Sequence, residues 1–382
     1  MTDNVRQDEL IVDLRQRDAV ATVLTHDLGV WPAAEEEESA DLDLALLKNL
    51  RLSDYAPRAR KRYANEIAAL EQPGRSFTDL DVLLYDLRLR FGAARGWEPL
   101  VGKNRDAVVG FPQHKDATPP RHPIGQFALT GNGGAGVRIG VVDGPFAPHE
   151  LLPAEVVMRD EEFVGTSPAP VGAGHATFVC GLIRRAAPGA RLDVRTGLDA
   201  ESGLSTAWTA ARKIASFRNS DVDILNLSLG CVTIDGEPPL VLRRALERLD
   251  SRVLVVAAAG NRADLEVAGQ EVKQVWPGAA SRVIAVGAIE PDGGKAAFSM
   301  DESWVDCVAP GVDVTSTYVT GPVEGFEEKF DGFATWNGTS FAAATVSGAI
   351  AATMSAHDLP AEEAFKRVRD EHVAGVLPHA KD

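Results

Sequence analysis

Three features are scarce in this sequence, and each scarcity excludes a class of protein. Cysteine occurs only at Cys180, Cys231 and Cys307, an odd number without CxxC spacing, which favours reduced, buried thiols over a disulfide framework or a zinc site. The 39 basic residues are outnumbered by 55 acidic ones, and the formal net charge of -16 argues against a nucleic-acid partner, because phosphate binding needs a basic face. No stretch approaches the roughly 20 apolar residues that span a bilayer, so no membrane partner is expected.

The start of the chain also lacks the pattern of a secretory signal. The first residues, "MTDNVRQDEL", contain no apolar run after their charges, and we therefore predict a cytoplasmic protein. Hydrophobic residues make up 45% and charged residues 25%, which is ordinary for a soluble globular protein. A chain of 382 residues is long enough to bury a sizeable core.

Residues 1–122 differ in composition from the rest of the chain. This part is rich in charge, and its leucine-spaced segments predict amphipathic helices. Those segments are "DLDLALLKNL", "YAPRARKRYANEIAALEQ" and "FTDLDVLLYDLRLRFGAA", and an acidic run, "EEEES", stands at 35–39. The stretch "HKDATPPRHPIGQ" contains three prolines, cannot continue a helix, and is predicted to be a linker. We therefore predict a small, mainly helical N-terminal domain, 1–122, before a second domain, 123–382.

The second domain has the pattern of an α/β protein. From Gly136 onward, β-branched apolar runs of strand length alternate with helical patterns such as "PPLVLRRALERLD". The runs are "GVRIGVVD", "RLDVRTGL", "VDILNLSLG", "RVLVVAAAG" and "RVIAVGA". Such runs are typical of strands that are buried on both faces, and their alternation with helices predicts a parallel sheet covered by helices.

Polar residues follow the strands or open the helices of this domain. Asp143 ends the run "GVRIGVVD", His175 follows a glycine-rich turn before an apolar helix, and Asn261 follows "VVAAAG". Taken singly, an aspartate at a strand end is usually a turn residue and a lone histidine is usually structural. Because the carboxyl ends of parallel strands meet at one edge of a sheet, the three side chains are expected to lie close together.

A hydroxyl pair, Thr339 and Ser340, follows Gly338 directly and opens the apolar stretch "FAAATVSGAIA". One interpretation is helix capping, since a hydroxyl oxygen can accept a hydrogen bond from a free amide of the first turn. The other interpretation is a nucleophile at a helix N-terminus, which requires a base and an orienting acid elsewhere in the chain. His175 and Asp143 can fill these two roles.

The combination favours acyl-transfer chemistry with Ser340 as the nucleophile. Asn261 can donate a hydrogen bond to the oxyanion of a tetrahedral intermediate, assisted by the backbone amide of Ser340. At this point the chain resembles the subtilisin-like serine proteases (peptidase S8, the subtilase family), in which the triad also follows the order Asp, His, Ser. The matching motifs, which extend over about 130–358, are "GVVDGPFAPHELL", "GHATFVCGLI", "AAAGN" and "NGTSFAAATVSGAIA".

The resemblance implies a fold and a substrate class. It implies a three-layer α/β domain with a mainly parallel sheet, and a peptide or protein substrate that adds itself as an extended strand between "LSLG" and "AAAG". On that basis the substrate-contacting residues are Leu229, Gly230, Ala258 and Gly260. A specific precursor peptide is one candidate substrate.

The sequence departs from the family pattern in three respects, one of which is that "FAAAT" replaces the usual proline and histidine after the small residues that follow the serine. His175 is followed by Ala176 and Phe178 where relatives carry Gly and His, although no catalytic group is lost. After "GHATFVCGLI" the chain passes at once to "RRAAPGARL", which leaves no room for the loop that holds calcium in many relatives. We therefore expect no metal and no cofactor.

Two functional hypotheses remain at this level. The first is an active intracellular serine endopeptidase, because all four chemical roles are filled. The alternative is a catalytically weak pseudoprotease that binds peptides. The N-terminal domain is expected to dock in cis on the protease domain, either to block its groove or to present a substrate, because its apolar helix faces need a partner surface. A new N-terminus near residues 115–130 in the purified protein would identify a zymogen.

Overall fold

The computed structural model describes most of the chain in two packed units. The described residues are 5–31, 35–71, 77–108, 121, 127–165, 167–200, 203–233, 236–261, 266–267, 270–271 and 274–379. We call 5–108 the N-terminal unit and 127–379 the C-terminal unit. The predicted linker and the predicted domain boundary fall between them, outside the described residues except for Arg121.

The N-terminal unit combines helices with an antiparallel sheet. Its helices are α1 (Arg17–Thr22), α2 (Ala56–Arg62), α3 (Ala64–Leu70) and α4 (Asp79–Arg95), with a π-helical turn at Val23–Asp27. Its strands are β1 (Val5–Asp13), β2 (Glu35–Ser39), β3 (Leu44–Lys48) and β4 (Val101–Val108). The helices predicted from the second and third leucine-spaced segments are confirmed as α2, α3 and α4.

The prediction for the first leucine-spaced segment was wrong, because "DLDLALLKNL" supplies strand β3 and not a helix. The acidic run is also a strand, β2, which pairs antiparallel with β3 at the edge of the sheet. The N-terminal unit therefore keeps its predicted helices but is built around a sheet that the leucine spacing did not reveal.

Alternation along the strands explains how this sheet is covered on both faces. In β1, Leu10 and Val12 pack into the core of the N-terminal unit, whereas Ile11 packs against the C-terminal unit. In β3, Ala45 and Leu47 face the same core, and Leu44 and Leu46 face the C-terminal unit. Because side chains alternate along a strand, one sheet serves two hydrophobic cores.

The C-terminal unit is an α/β structure. Its helices are α5 (His175–Ala186), α6 (Ala207–Ala215), α7 (Leu240–Arg248), α8 (Thr339–His357) and α9 (Ala361–Asp370), with 3-10 turns at Val171–Gly174, Ser216–Asn219 and Val373–Gly375. Its strands are β5 (Arg138–Asp143), β6 (Val157–Arg159), β7 (Arg191–Thr196), β8 (Leu204–Thr206), β9 (Ile224–Leu227), β10 (Cys231–Val232), β11 (Leu254–Ala258), β12 (Glu266–Val267), β13 (Gln270–Glu271), β14 (Val275–Trp276), β15 (Val283–Ile289), β16 (Cys307–Pro310), β17 (Val314–Gly321), β18 (Phe330–Trp336) and β19 (Leu377–Pro378).

The predicted parallel sheet is confirmed. Its strand order is β19-β16-β15-β11-β9-β5-β7-β6, and its pairs are parallel except for β16 with β19. Helices α5 and α8 contribute to the core on one face, and α6 and α7 to the core on the other. The result is the three-layer arrangement that the sequence predicts. Asp143 ends β5, so this residue lies at the carboxyl edge of the sheet.

A strand of the C-terminal unit completes the sheet of the N-terminal unit. β8 pairs antiparallel with β4, with Val108 opposite Leu204 and Asp106 opposite Thr206, and the five-stranded order is β2-β3-β1-β4-β8. No helix among the described residues combines the length and the apolarity needed to cross a membrane.

Candidate functional site

Asp143 and His175 meet at the carboxyl edge of the parallel sheet. The Nδ1 atom of His175 lies 2.8 Å from Oδ1 and 3.0 Å from Oδ2 of Asp143, and both side chains are buried. The backbone amide of Gly144 donates a second hydrogen bond to Oδ1 of Asp143, at 2.7 Å. The carboxylate is therefore fixed by its own turn and in turn fixes the orientation of the imidazole, as an orienting acid does.

Aromatic rings surround the imidazole of His175. The Trp336 ring lies at 5.7 Å, nearly perpendicular to the imidazole, and the Phe341 ring lies at 5.5 Å. Phe178 packs at 4.4 Å against Phe341, which explains why a phenylalanine is accommodated three residues after the histidine. Such rings lower the local dielectric, which strengthens the hydrogen bond between His175 and Asp143.

The thiol of Cys180 lies near Asp143 and could in principle act as a nucleophile, but its environment keeps the thiol protonated. Complete burial raises the pKa of the Cys180 thiol well above its ordinary value, and the negative charge of Asp143 raises it further. Because the thiolate is the nucleophilic form, this thiol does not compete with a serine in the site. Cys180, Cys231 and Cys307 are buried thiols outside any disulfide, as the sequence predicts.

Ser340 is the second residue of α8, and its hydroxyl lies in the first turn. The residue at the cap is Gly338, in extended backbone and without a side-chain capping bond, so the capping interpretation of the hydroxyl pair was wrong. Instead, the Ser340 hydroxyl is directed toward the backbone oxygen of Ser228, at 3.5 Å, beyond the end of β9. The adjacent Phe341 ring packs against the His175 ring, so α8 begins close to the base candidate.

The hydroxyl of Thr339 holds the side-chain amide of Asn261. It donates to Oδ1 of Asn261 at 2.7 Å, and the backbone amide of Thr339 donates to the same oxygen at 2.8 Å. It also accepts a hydrogen bond from the backbone amide of Gly260, at 3.1 Å. With Oδ1 occupied, the Nδ2 group of Asn261 lies beside Gly338, 3.4 Å from where a Cβ would stand. The amide is thereby aimed at the turn that carries Ser340.

A buried polar chain lies beneath the Ser340 backbone. The Ser347 hydroxyl donates to Oδ1 of Asn226 at 3.0 Å, the Asn226 amide donates to the Ser228 hydroxyl at 2.9 Å, and that hydroxyl donates to the Ser340 carbonyl at 3.3 Å. Asn226, Ser228 and Ser347 are fully buried. Because buried polar groups without partners are costly, this chain fixes the backbone around the nucleophile candidate.

The residues predicted to contact substrate lie around the same edge. Gly230 follows the buried Leu229, whose side chain belongs to the core beneath α6 and α7. Ala258 ends β11, and Gly260 has a φ of 110°, a conformation that favours glycine. The four predicted positions thus lie at the ends of β9 and β11. Because the Leu229 side chain is buried in the core, Leu229 can contact a substrate only through its main-chain atoms.

The described residues contain no group of three or more His, Cys, Asp or Glu side chains that could hold a metal ion. The candidate site itself offers a carboxylate, an imidazole, a hydroxyl and an amide.

Comparison with known proteins assigns the chain to a family. The Peptidase_S8 profile, which describes the Subtilase family, matches residues 134–373. The chain belongs to the Subtilase family. Subtilisin Savinase from Lederbergia lenta is 32% identical over 229 residues, which cover 57% of this chain and 76% of that protein. This subtilase is accordingly a serine endopeptidase.

Other matches of this subtilase extend over a smaller part of the relative, or share only its fold. The thermophilic serine proteinase of Bacillus sp. (strain AK1) is 30% identical over 253 residues, 63% of this chain and 58% of that protein. Among solved structures, a lanthipeptide protease matches with a TM-score of 0.50 and 21% identity, over 61% of this chain and 79% of that chain. At that identity the match shows the shared fold.

Sequence reasoning missed the supporting residues of the subtilase site. Asn226 and Ser228 interrupt the apolar run "VDILNLSLG", and a polar residue in a strand predicted to be buried needs a partner, so this signal was present. The hydrogen bonds of Ser347 with Asn226 and of Thr339 with Asn261 and Gly260 depend on how α8 crosses the sheet, which no local pattern encodes.

Proposed function

We propose that this serine endopeptidase cleaves peptide bonds with a triad of Asp143, His175 and Ser340 and an oxyanion hole that includes Asn261. Ser340 attacks the carbonyl carbon, His175 takes the proton from the hydroxyl and later delivers it to the leaving amine, and Asp143 stabilises the imidazolium. The carbonyl oxygen becomes negative and accepts hydrogen bonds from the Asn261 amide and from the backbone amide of Ser340. This backbone amide lies in the first turn of α8, where amides have no partner within the helix.

The observation that carries the proposal is the pair of short contacts between Nδ1 of His175 and the Asp143 carboxylate, at 2.8 and 3.0 Å. With Nδ1 bound to the carboxylate, neutral His175 keeps its proton on that nitrogen, and Nε2 carries the lone pair that takes the proton from Ser340. A peptide-binding pseudoprotease has no need for this tautomer.

A fluorophosphonate probe tests the proposal. We expect stoichiometric labelling, with the adduct found on Ser340 by mass spectrometry, because the probe reacts only with an activated serine. His175→Ala should abolish labelling, and Thr345→Val, a hydroxyl change in the same helix, should preserve it. Peptide binding without any labelling would support the pseudoprotease instead.

Thr339→Val should lower kcat about tenfold and leave KM nearly unchanged. The variant removes one of two donors to Oδ1 of Asn261 and the acceptor for the Gly260 amide, so the Asn261 amide is held less firmly. The effect should be smaller than the 10²- to 10³-fold measured in subtilisin, a member of this family, when the oxyanion-hole asparagine itself is removed. Steady-state kinetics on a fluorogenic peptide measure the change in kcat and KM.

Thr345→Val is the matched control for Thr339→Val, because the Thr345 hydroxyl donates within α8, to the Phe341 carbonyl. A rise in KM at constant kcat would assign Thr339 to substrate binding.

We further propose that residues 1–122 act as an inhibitor of the site in cis. Two described points of the chain support this. At one, β4 pairs through Val108 with β8, which follows β7 at the same edge of the sheet as Asp143. At the other, Arg121 pairs by both main-chain groups with Thr335, near the end of the strand that leads to Ser340. A segment that forms strand pairs near the site would compete with an extended substrate for strand pairing.

The charges at the interface also support retention of the N-terminal unit. In four ion pairs between described residues of the two units, the N-terminal unit supplies the carboxylate and the C-terminal unit the guanidinium group. These pairs are Asp13 with Arg244 at 2.9 Å, Glu37 with Arg212 at 3.4 Å, Asp41 with Arg218 at 3.5 Å, and Asp43 with Arg248. The first is the least exposed, with side-chain exposures of 10% and 14%. Carboxylates on one face and guanidinium groups on the other are complementary, which favours one specific docked orientation.

Asp13→Arg should raise peptide hydrolysis by the intact chain several-fold. The variant places two cations together in a partly buried contact, which weakens docking and opens the groove for a larger fraction of the time. Initial rates are measured on protein whose intact mass is verified. The double variant Asp13→Arg/Arg244→Asp restores the pair in reverse and should return the rate toward that of the unmodified chain. An unchanged rate in Asp13→Arg would exclude the inhibitory role of this contact.

The location and the substrate are also part of the proposal. The reduced thiols of all three cysteines support the cytoplasm, where thiols stay reduced. A specific precursor peptide remains the candidate substrate, and sequencing the N-terminus of the purified protein tests whether the first substrate is the chain itself.

A further inference from the structure

The sheet of the N-terminal unit has one paired edge and one open edge. In the order β2-β3-β1-β4-β8, the strand β8 of the C-terminal unit covers the edge of β4, and β2 stands at the other end. β2 pairs with β3 on one side, and on its other side it pairs with no strand among the residues that the structure describes. Alternate residues of an edge strand direct their N–H and C=O groups away from the sheet, so β2 presents backbone donors and acceptors to a further strand.

A cavity of about 850 Å³ borders β2. Its walls are formed by β2, by Lys48 at the end of β3, and by α1 with the π-helical turn that follows this helix. The Trp31 ring also lines the cavity and is fixed there, since its Nε1 group donates to the Lys48 carbonyl at 3.0 Å. Binding clefts in proteins have volumes of about 300–1,000 Å³. The cavity is therefore large enough for side chains of a polypeptide that lies along β2.

Two glutamates of β2 have cationic partners inside the N-terminal unit. Glu36 pairs with Arg17 of α1, and Glu37 pairs with Lys48 of β3. The hydrogen bond from Lys48 lowers the pKa of Glu37, so this carboxylate stays charged at neutral pH. Carboxylates of β2 itself thus neutralise the Arg and Lys side chains of the cavity, which leaves these cations unsuited to an anionic ligand.

The other two glutamates of β2 carry charge without a cationic partner. Glu35 and Glu38 are exposed, and neither forms an ion pair with another described residue. A run of glutamates is unfavourable in a strand, because side chains two residues apart lie on the same face and repel each other. Lysine or arginine on an added strand would relieve this repulsion, since opposite charges in cross-strand pairs are favourable. A second copy of β2 would instead bring like charges together.

We propose that the open edge of β2 and the cavity beside it bind a basic segment of the polypeptide substrate, which adds to the sheet as a further strand. This segment is distinct from the residues around the scissile bond. It binds while the two units stay docked, because β8 occupies the opposite edge of the sheet. Main-chain hydrogen bonds supply affinity, and cationic side chains beside Glu35 and Glu38 supply selectivity. That the bound chain is a substrate rests on the proposed function, whereas the binding itself does not.

Peptide binding to the full-length Ser340→Ala protein tests the site without cleavage. The probe is fluorescein-labelled Gly-Lys-Lys-Val-Lys-Lys-Gly, which has lysines on both faces when extended, and fluorescence anisotropy gives its Kd. Glu35→Lys/Glu38→Lys should raise Kd about tenfold, because attraction between the strands becomes repulsion. N-methylation of the backbone amides of the probe removes its donors but not its charge, and should weaken binding to a similar extent.

Glu362→Lys/Glu363→Lys is the matched control. These two glutamates are exposed in the first turn of α9, in the C-terminal unit, and their reversal changes the net charge of the chain by the same amount. The control should leave Kd nearly unchanged. Equal weakening in both variants, or no effect of backbone methylation, would show a general attraction to an acidic protein and overturn the proposed strand pairing. Absence of binding would also overturn it, and the glutamates would then only protect an edge strand from aggregation.

Hydrolysis tests separately whether the bound chain is a substrate. The unmodified protein is compared on two fluorogenic peptides with the same cleavable sequence. One of them also carries the basic segment, joined by a linker of about 20 Gly and Ser residues, which reaches about 60 Å when extended. The segment should lower KM about tenfold at constant kcat and lose this effect in Glu35→Lys/Glu38→Lys. Binding of the probe without any change in KM would overturn the assignment to substrate. Binding without cleavage of either peptide would overturn the proposed function and retain β2 as a peptide-binding edge.

Discussion

Ser340→Ala should lower kcat about 10⁶-fold, the figure measured for the corresponding change in subtilisin, a member of this family. The variant removes the attacking oxygen, and water cannot take its place at the His175 base with the same geometry. His175→Ala should cost as much, and the double variant no more than either single change, because the two side chains act as one unit. Hydrolysis of a fluorogenic peptide at high enzyme concentration measures the residual rate.

The control for this loss is the stability of the variant. Ser340 is 3% exposed, and its hydroxyl makes a long contact of 3.5 Å, so alanine should fit without disturbing α8. We expect the melting temperature to change by no more than a few degrees. Substantial turnover by purified Ser340→Ala protein would remove Ser340 from the proposed mechanism.

Asp143→Asn should lower kcat by about 10⁴-fold, the size of the effect for the same change in another serine protease triad. Oδ1 of Asp143 already accepts from the Gly144 amide at 2.7 Å, so the oxygen of an asparagine would stay on that donor. The NH₂ group would then face Nδ1 of His175, which is 3.0 Å from Oδ2. Nδ1 would become an acceptor, and the proton would move to Nε2, where it blocks removal of the serine proton.

A matched carboxylate on the neighbouring strand separates this effect from a general loss of charge. Asp193 lies on β7 and pairs with Arg195 at 2.8 Å, near the surface. Asp193→Asn should leave kcat within a few-fold of the unmodified enzyme. If Asp143→Asn retained normal turnover, the tautomer argument for the contact between Asp143 and His175 would fail.

The strands of the parallel sheet were predictable because their environment is uniform. β5, β9 and β11 are covered on both faces by helices of the same unit, so their sequences are continuous apolar runs. The residues of the candidate site were predictable because they stand at the ends of those runs or at the start of a helix. Their supporting bonds were not, since Thr339 and Asn261 are far apart in the chain and meet only when α8 packs on the sheet.

The sheet of the N-terminal unit could not be predicted from the sequence for a related reason. Leu44 and Leu46 face the C-terminal unit, while Ala45 and Leu47 face the core of their own unit. With both faces buried, the alternation that identifies a strand disappears, and the leucines have the spacing of a helix. The surface that covers Leu44 and Leu46 belongs to α6 and α7, far along the chain, so the local sequence carries no sign of it.

Because β8 completes the N-terminal sheet from a later part of the chain, this sheet stays incomplete during part of the protein's synthesis. The N-terminal unit leaves the ribosome first, with the edge of β4 unpaired and the face formed by Ile11, Leu44 and Leu46 uncovered. Its cover, α6 and α7, is complete only at Arg248. At about 5–20 residues per second, the interval between Val108 and Arg248 lasts roughly 7 to 28 s. For that time the nascent chain carries an open strand edge beside an apolar face, which is the surface that chaperones recognise and that aggregation extends.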